Sequence, residues 1–224
     1  MKHIVSFSGG KDSTAMLHLL IEQGVPIDRV VYFETEWDFP QMQPHLEMVE
    51  QNTGVQIIKV RYYRHFNEQL LCYGWPKSAG GWCTACKHST CVKYVRTVRD
   101  DKTEYIGFSA DEIHRTQTKW MLERKWKVEF PLIDAGFSEQ DSLNYCRKLG
   151  YHWDGLYDVF DRVSCFCCPK GGKAKRAKVK NNYPELWKRW LALDEIAKVA
   201  DERKKQRIEE GQKEGARQLE LLAI

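Results

Sequence analysis

The chain has 224 residues, 42% hydrophobic and 29% charged, with a formal net charge of +4. That length accommodates one α/β domain with a modest appendage; no apolar run reaches membrane-spanning length and the amino terminus enters a strand without a signal-like segment, so a cytoplasmic protein with no membrane partner is expected. Eight cysteines without an export signal argue against a disulfide framework and towards metal binding or redox chemistry.

Near the amino terminus the apolar run His3-Ile-Val5 meets Ser6-Phe-Ser-Gly-Gly-Lys-Asp-Ser-Thr14 and then Ala15-Met-Leu-His-Leu-Leu-Ile21. This describes a strand, a tight loop and a helix capped by Ser13 or Thr14. Gly9 and Gly10 let the backbone approach an anion closely, and the amides and dipole of a helix start favour negative charge, so the loop reads as a phosphate cradle. Lys11 supplies a point charge there, and Ser8 and Ser13 supply hydroxyls. Asp12 could hold a magnesium ion bridging phosphate oxygens, or accept N–H bonds at the helix start. The loop is not a Walker A motif, because its two glycines are adjacent and Asp12 separates Lys11 from Ser13.

Asp28 to Phe33 reads as a second strand, ending in Glu34-Thr-Glu-Trp-Asp38 where an open α/β sheet has its ligand crevice. Met42 to Gln51 is a predicted helix, Gln56 to Val60 a third strand, and His65 to Cys72 helical. Gly74 to Thr90 is predicted as a loop holding Trp75-Pro76, Gly80-Gly81 and the first cysteine pair. Val92 to Val98 reads as helical, and Glu104 to Phe108 as a strand running into Ser109-Ala-Asp-Glu-Ile-His-Arg115. Two acids and a cation at Asp111, Glu112 and Arg115 sit where a second ligand group or metal would lie, or form a charged surface turn. Ser138 and Asp141 make a capping pattern for a helix to about Leu149, and Tyr183 to the end reads as one or two helices. The alternation predicts an α/β fold, a mostly parallel open sheet with helices on both faces. Residues 1–135 are expected to form the phosphate-loop domain, with a cysteine-rich helical region, 136–224, packed on it.

Cys83-Thr-Ala-Cys86 and Cys165-Phe-Cys-Cys168-Pro169 are C-x-x-C pairs whose tight turns can bring sulfurs to one centre, either zinc or iron–sulfur. Cys83, Cys86, Cys165 and Cys168 are the expected ligands, with Cys91 and Cys167 as competitors; the Cys-Pro ending tilts the reading to [4Fe–4S] over Zn²⁺. Cys72 and Cys146 read as small buried residues. The run Lys170 to Lys180 can neutralise phosphates on a nucleotide or nucleic acid, or form a solvated face.

Four features in order, Ser8-Gly-Gly-Lys-Asp-Ser13, Phe33-Glu-Thr-Glu-Trp-Asp-Phe-Pro40, Gly107-Phe-Ser-Ala-Asp-Glu-Ile-His-Arg115, and Phe130-Pro-Leu-Ile-Asp134 followed by Ser164-Cys-Phe-Cys-Cys-Pro169, resemble the phosphoadenosine-phosphosulfate reductase branch of the PP-loop ATP pyrophosphatase superfamily. The resemblance implies an adenine nucleotide α-hydrolase-like fold that binds ATP or an adenylyl nucleotide across the strand ends and acts at the α-phosphate. Ser8, Gly9, Gly10, Lys11, Asp12 and Ser13 carry over as the phosphate loop, Phe33, Glu34 and Thr35 as an adenine or ribose contact, and Gly107, Asp111, Glu112 and Arg115 as the G-x-x-x-D-E-x-x-R block. Lys11, Asp12, Asp111 and Arg115 are the expected catalytic residues. Two departures stand out. The Glu-Cys-Gly-hydrophobic-His segment that reductases use is not matched where the chain closes with Gln218-Leu-Glu-Leu-Leu-Ala-Ile224, and the family's G-x-R reads Gly107-Phe-Ser109. The expectation is therefore an adenylating, sulfur-transferring enzyme acting on nucleic acid or a small acceptor, with a sulfur donor protein and a second copy of the chain as further partners. The alternatives are a reductase whose nucleophile has moved to Cys91 or Cys167, and a non-catalytic nucleotide- and metal-sensing module.

Overall fold

The computed structural model describes residues 1–76 and 81–222, with side chains described as far as residue 212. In chain order its elements are β1 (Lys2–Phe7), α1 (Lys11–Glu22), β2 (Arg29–Phe33), α2 (Met42–Thr53), β3 (Ile57–Val60), α3 (Phe66–Tyr73), α4 (Trp82–Thr97), β4 (Lys102–Ile106), a 3₁₀ segment (Ala110–Gln117), α5 (Lys119–Leu122), β5 (Lys127–Glu129), α6 (Pro131–Asp134), α7 (Glu139–Lys148), α8 (Leu156–Val159), α9 (Gly172–Asn182) and α10 (Pro184–Leu222). The chain divides into two compact units, Met1–Tyr62 with Ala85–Cys165, and Tyr63–Thr84 with Phe166–Ile224.

The first unit is the expected α/β layer. Its five strands run in the order β3-β2-β1-β4-β5, and every pairing is parallel. β1 is central because its residues suit burial on both faces: Ile4 and Val5 are fully buried, Val5 lying opposite Val30 on one side and Tyr105 on the other. Ile4 and Val31 pack with Val95 of α4 and with Val98 just beyond its end. Each such side chain contributes about 1.5–3 kcal/mol by leaving water. The strand order reverses at β1, so the crevice between the carboxyl ends of β1 and β4 is the switch point where α/β sheets place ligands. Both motif-bearing segments, after Phe7 and after Ile106, leave the sheet there.

Three local expectations are corrected. Trp82 to Thr90 is helical, not loop, so the first cysteine pair lies in the first two turns of α4; Gly80, expected in the same loop, lies outside the described residues. β4 begins at Lys102, because its polar Thr103 and Glu104 are buried at 1% exposure and so mask the strand pattern. β5 was not anticipated, since three residues, Lys127-Val-Glu129, are too few to show a period.

In the second unit α3 packs on α10. Trp75 Nε1 donates to Asp194 Oδ1 at 3.0 Å, and Trp82 Nε1 to the Gly74 carbonyl at 3.0 Å. The basic run forms α9 and is not uniformly solvated: Lys175 is buried, while Arg176 pairs with Asp194 and stacks on Trp187 and Trp190 at 5.1 and 5.3 Å.

Candidate active site

Gly9 has φ +73°, a left-handed conformation that glycine adopts without strain, and this turns the chain from β1 into α1. The helix starts at Lys11 with Gly10 as its cap residue, and no side chain caps it. The expected caps, Ser13 and Thr14, lie inside the first turn. There Ser13 Oγ accepts the Ser8 N–H at 3.1 Å and donates to the Gly10 carbonyl at 3.0 Å, which ties the loop to itself. A helix start without a side-chain cap directs its N–H groups and dipole at whatever anion approaches.

Lys11 is only 4% exposed, and its ammonium is held 2.7 Å from Glu139 Oε2 and 3.5 Å from Asp12 Oδ2. The Lys11 N–H donates to the Tyr157 hydroxyl at 2.8 Å. The first amide of α1 and the lysine ammonium therefore already hold oxygen partners, one hydroxyl and two carboxylates. Asp12 does not cap the helix. Its Oδ1 is buried with no hydrogen-bond partner among the described residues. Burial raises its pKa, Lys11 pulls it back, and the charges of Glu139 and Glu112 push it up again.

The segment after β4 closes the site. Gly107 lies against the first turn of α1, where an added Cβ would be 3.1 Å from Ser13 Cα. Ser109 is fully buried and its Oγ has no partner among the described residues. Asp111 Oδ2 accepts the Glu139 N–H at 2.8 Å and so fixes the start of α7, which presents Glu139 to Lys11. Glu112 Oε1 accepts from Arg115 at 2.7 Å and Arg162 at 2.8 Å, and the Arg115 guanidinium lies 4.1 Å over the Phe108 ring.

At the end of β2, Phe33 is buried, while Glu34 pairs with Arg61 and lies 3.9 Å from Lys59. The Thr35 N–H and the Tyr32 hydroxyl both donate to Asp38 Oδ2, at 3.1 and 2.8 Å, which shapes this turn. Burial pushes the Asp38 carboxyl up. On the other side of the loop, Trp153 and Asp154 have φ +47° and +48°, a left-handed conformation that Asp tolerates but that is unusual for a side chain as bulky as Trp153. Trp153 is held there by its Nε1 bond to the Gly9 carbonyl at 2.8 Å and by stacking on His45 at 4.5 Å. Such strain persists only where surrounding contacts over-determine it.

The family model described as the phosphoadenosine phosphosulfate reductase domain matches residues 2–171. The chain belongs to that family. Two uncharacterized Methanocaldococcus jannaschii proteins are similar: MJ0066, 30% identical over 194 residues, and MJ0973, 25% identical over 193. These matches cover 84% and 83% of this chain but only 40% and 46% of those proteins, so the chain spans less than half the length of the curated relatives it matches. A solved structure described as a predicted subunit of tRNA methyltransferase, from the same organism, overlaps with a TM-score of 0.41 at 16% identity, covering 66% of this chain and 74% of that one.

Within the first unit Gly107 packs on the loop, Asp111 reaches Lys11 through Glu139, and Glu112, bonded to Arg115 and Arg162, adds its charge to the surroundings of Asp12. Glu139, Trp153, Tyr157 and Arg162 were not singled out from the sequence. The Ser138–Asp141 capping box located the helix that carries Glu139, but nothing local signals that it meets a lysine 128 positions earlier. Cys146 is buried as expected; its thiol donates to the Lys11 carbonyl at 3.3 Å, and burial pushes its pKa up to about 12. Cys72 is exposed, against expectation.

The expected thiolate ligands divide between the units. Cys86 and Cys165 belong to the first, where Tyr32 senses the charge of Cys165. Cys83 and Cys168 belong to the second; burial raises the Cys83 pKa, the Thr84 hydroxyl and Lys170 lower it, and Cys168 raises it. Among the described residues no three His, Cys, Asp or Glu side chains converge as a metal site. Nor is any helix among them long and apolar enough to cross a membrane.

Proposed function

We propose that this chain binds ATP or an adenylyl nucleotide on the Ser8–Ser13 loop and acts at its α-phosphate, in sulfur transfer to a nucleic acid or a small acceptor. The observation behind this reading is the uncapped start of α1 at the sheet's switch point, with a buried lysine in its first residue. In this reading the first-turn amides of α1 hold the phosphates, and Lys11 exchanges Glu139 for a phosphate oxygen. Fixed donors of this kind stabilise charge developing on a departing pyrophosphate without needing to reorganise. The orphaned Asp12 Oδ1 fits a Mg²⁺ ligand, and the ion would supply charge neutralisation to the phosphates when bound. Asp111 acts through Glu139 by fixing the start of α7, and Arg115 through Glu112; both are positioning residues. The two cysteine pairs remain proposed ligands of an iron–sulfur or zinc centre, supported by their spacing, and no step is routed through it.

The test is calorimetric titration of ATP with magnesium, followed by measurement of pyrophosphate release. Lys11→Ala is expected to weaken binding about 10- to 150-fold, the worth of one charge-assisted hydrogen bond. Undiminished affinity in that variant removes the loop from the site. Thioredoxin-dependent sulfite release from phosphoadenosine phosphosulfate would instead identify a reductase.

A further inference from the structure

A second feature of the first unit lies beside α4. A cavity of about 220 Å³ is lined by His88, Lys93 and Arg96 of α4, Trp120 of α5, and Arg124 and Trp126 before β5. Arg124, Trp126 and His88 on its wall belong to a polar network centred on Glu104. Glu104, 1% exposed on β4, accepts from Ser6 Oγ at 2.6 Å, from Trp126 Nε1 at 2.8 Å and from Arg124 Nε at 3.0 Å. Arg124 also lies 3.0 Å from His88 Nε2, and His88 meets the Trp120 ring edge-on at 4.1 Å.

The charges on this wall do not cancel. Glu104 balances Arg124, while burial and Arg124 both lower the His88 pKa. Lys93 and Arg96 are exposed and have no carboxylate partner among the described residues. The acid on the rim, Glu123, is occupied by Lys119 at 3.6 Å. Trp120 is 53% exposed, a large aromatic surface in water. A surface aromatic beside two unbalanced cations suits a ligand that alternates flat rings with anions. The cavity is smaller than the about 300–1,000 Å³ of sites that enclose a drug-sized ligand, so it accommodates one ring system and not a whole ligand.

We propose that this pocket docks a single-stranded nucleic acid, seating one unstacked base against Trp120 with neighbouring phosphates on Lys93 and Arg96. The inference goes beyond the reaction at the loop and does not depend on it. A duplex, whose bases are already stacked on one another, offers no ring to Trp120. An acidic peptide offers anions without rings.

The experiment is fluorescence anisotropy of labelled oligouridylate and oligoadenylate with the full chain, across about 50–200 mM salt. Trp120→Ala is expected to weaken binding about 5- to 150-fold, the worth of one base–aromatic stack, and Trp120→Phe by less because a ring remains. Replacing Lys93 and Arg96 together by alanine should reduce the slope of log K against log salt by about 1.4, at about 0.7 per phosphate contact on single strands. Thermal melting of each variant checks that the exposed substitutions leave the fold intact, and excess ATP should not displace the oligonucleotide. No binding at low salt, binding indifferent to Trp120→Ala, or equal binding of polyglutamate or duplex overturns the proposal. So does binding abolished by Lys173→Glu on α9 and retained in Trp120→Ala.

Discussion

Gly107 offers the sharpest test of how the sheet and the loop are joined. A methyl group there would sit 3.1 Å from Ser13 Cα and 3.2 Å from both the Asp12 carbonyl oxygen and the Ser13 nitrogen. All three are backbone atoms in the first turn of α1, so no side-chain rotation relieves the contact. The end of β4 and the start of α1 must move apart by a few tenths of an ångström. Overpacking of this kind costs about 1–3 kcal/mol. In a chain of this size each kcal/mol lowers Tm by about 2–4 °C, so Gly107→Ala should melt about 2–12 °C below the parent. Because the displaced atoms belong to the loop proposed to bind the nucleotide, ATP affinity should fall in the same variant. Gly211→Ala is the opposite control: it faces open space within α10 and should stabilise by about 1 kcal/mol through helix propensity alone. Circular-dichroism melting without nucleotide makes the comparison. A Gly107→Ala protein that melts with the parent and binds ATP equally would show that β4 does not press on the loop, and the account of the switch-point crevice would fail with it.

Glu139→Gln, which removes the carboxylate competing for Lys11, should tighten ATP binding about tenfold, or about 1.4 kcal/mol, by calorimetry; unchanged affinity would mean that Lys11 does not exchange partners. His45 is 4% exposed, and burial pulls its pKa down to about 3. The unfolded chain therefore takes up a proton below about pH 6.5 that the folded chain refuses, and stability is lost as pH falls through that window, by up to about 1.4 kcal/mol per pH unit. Denaturant melts of His45→Gln at a series of pH values should show a shallower acid loss than the parent, and parallel curves would contradict the assignment.

Local chemistry made some features of this protein readable in advance. The Gly-Gly turn after an apolar run, the Ser138–Asp141 cap and the alternation of strand and helix patterns each rest on residues within a few positions of one another, and the turn from β1 into α1, α7 and the parallel sheet stand where those patterns put them. Interactions across long separations were a different matter. Tyr157 meets the Lys11 amide from 146 residues away, Glu139 meets its ammonium from 128, and Glu104 finds Arg124 only because β4 and the α5–β5 connection pack together. Buried charges in particular misled the pattern, since a polar residue inside a strand looks like a surface residue until its partner is known. Local pattern settled most of the elements, though not β5 or the start of α4; which side chains meet was left to the strand order that placed β1 beside β4, because that pairing brings the two loops into contact.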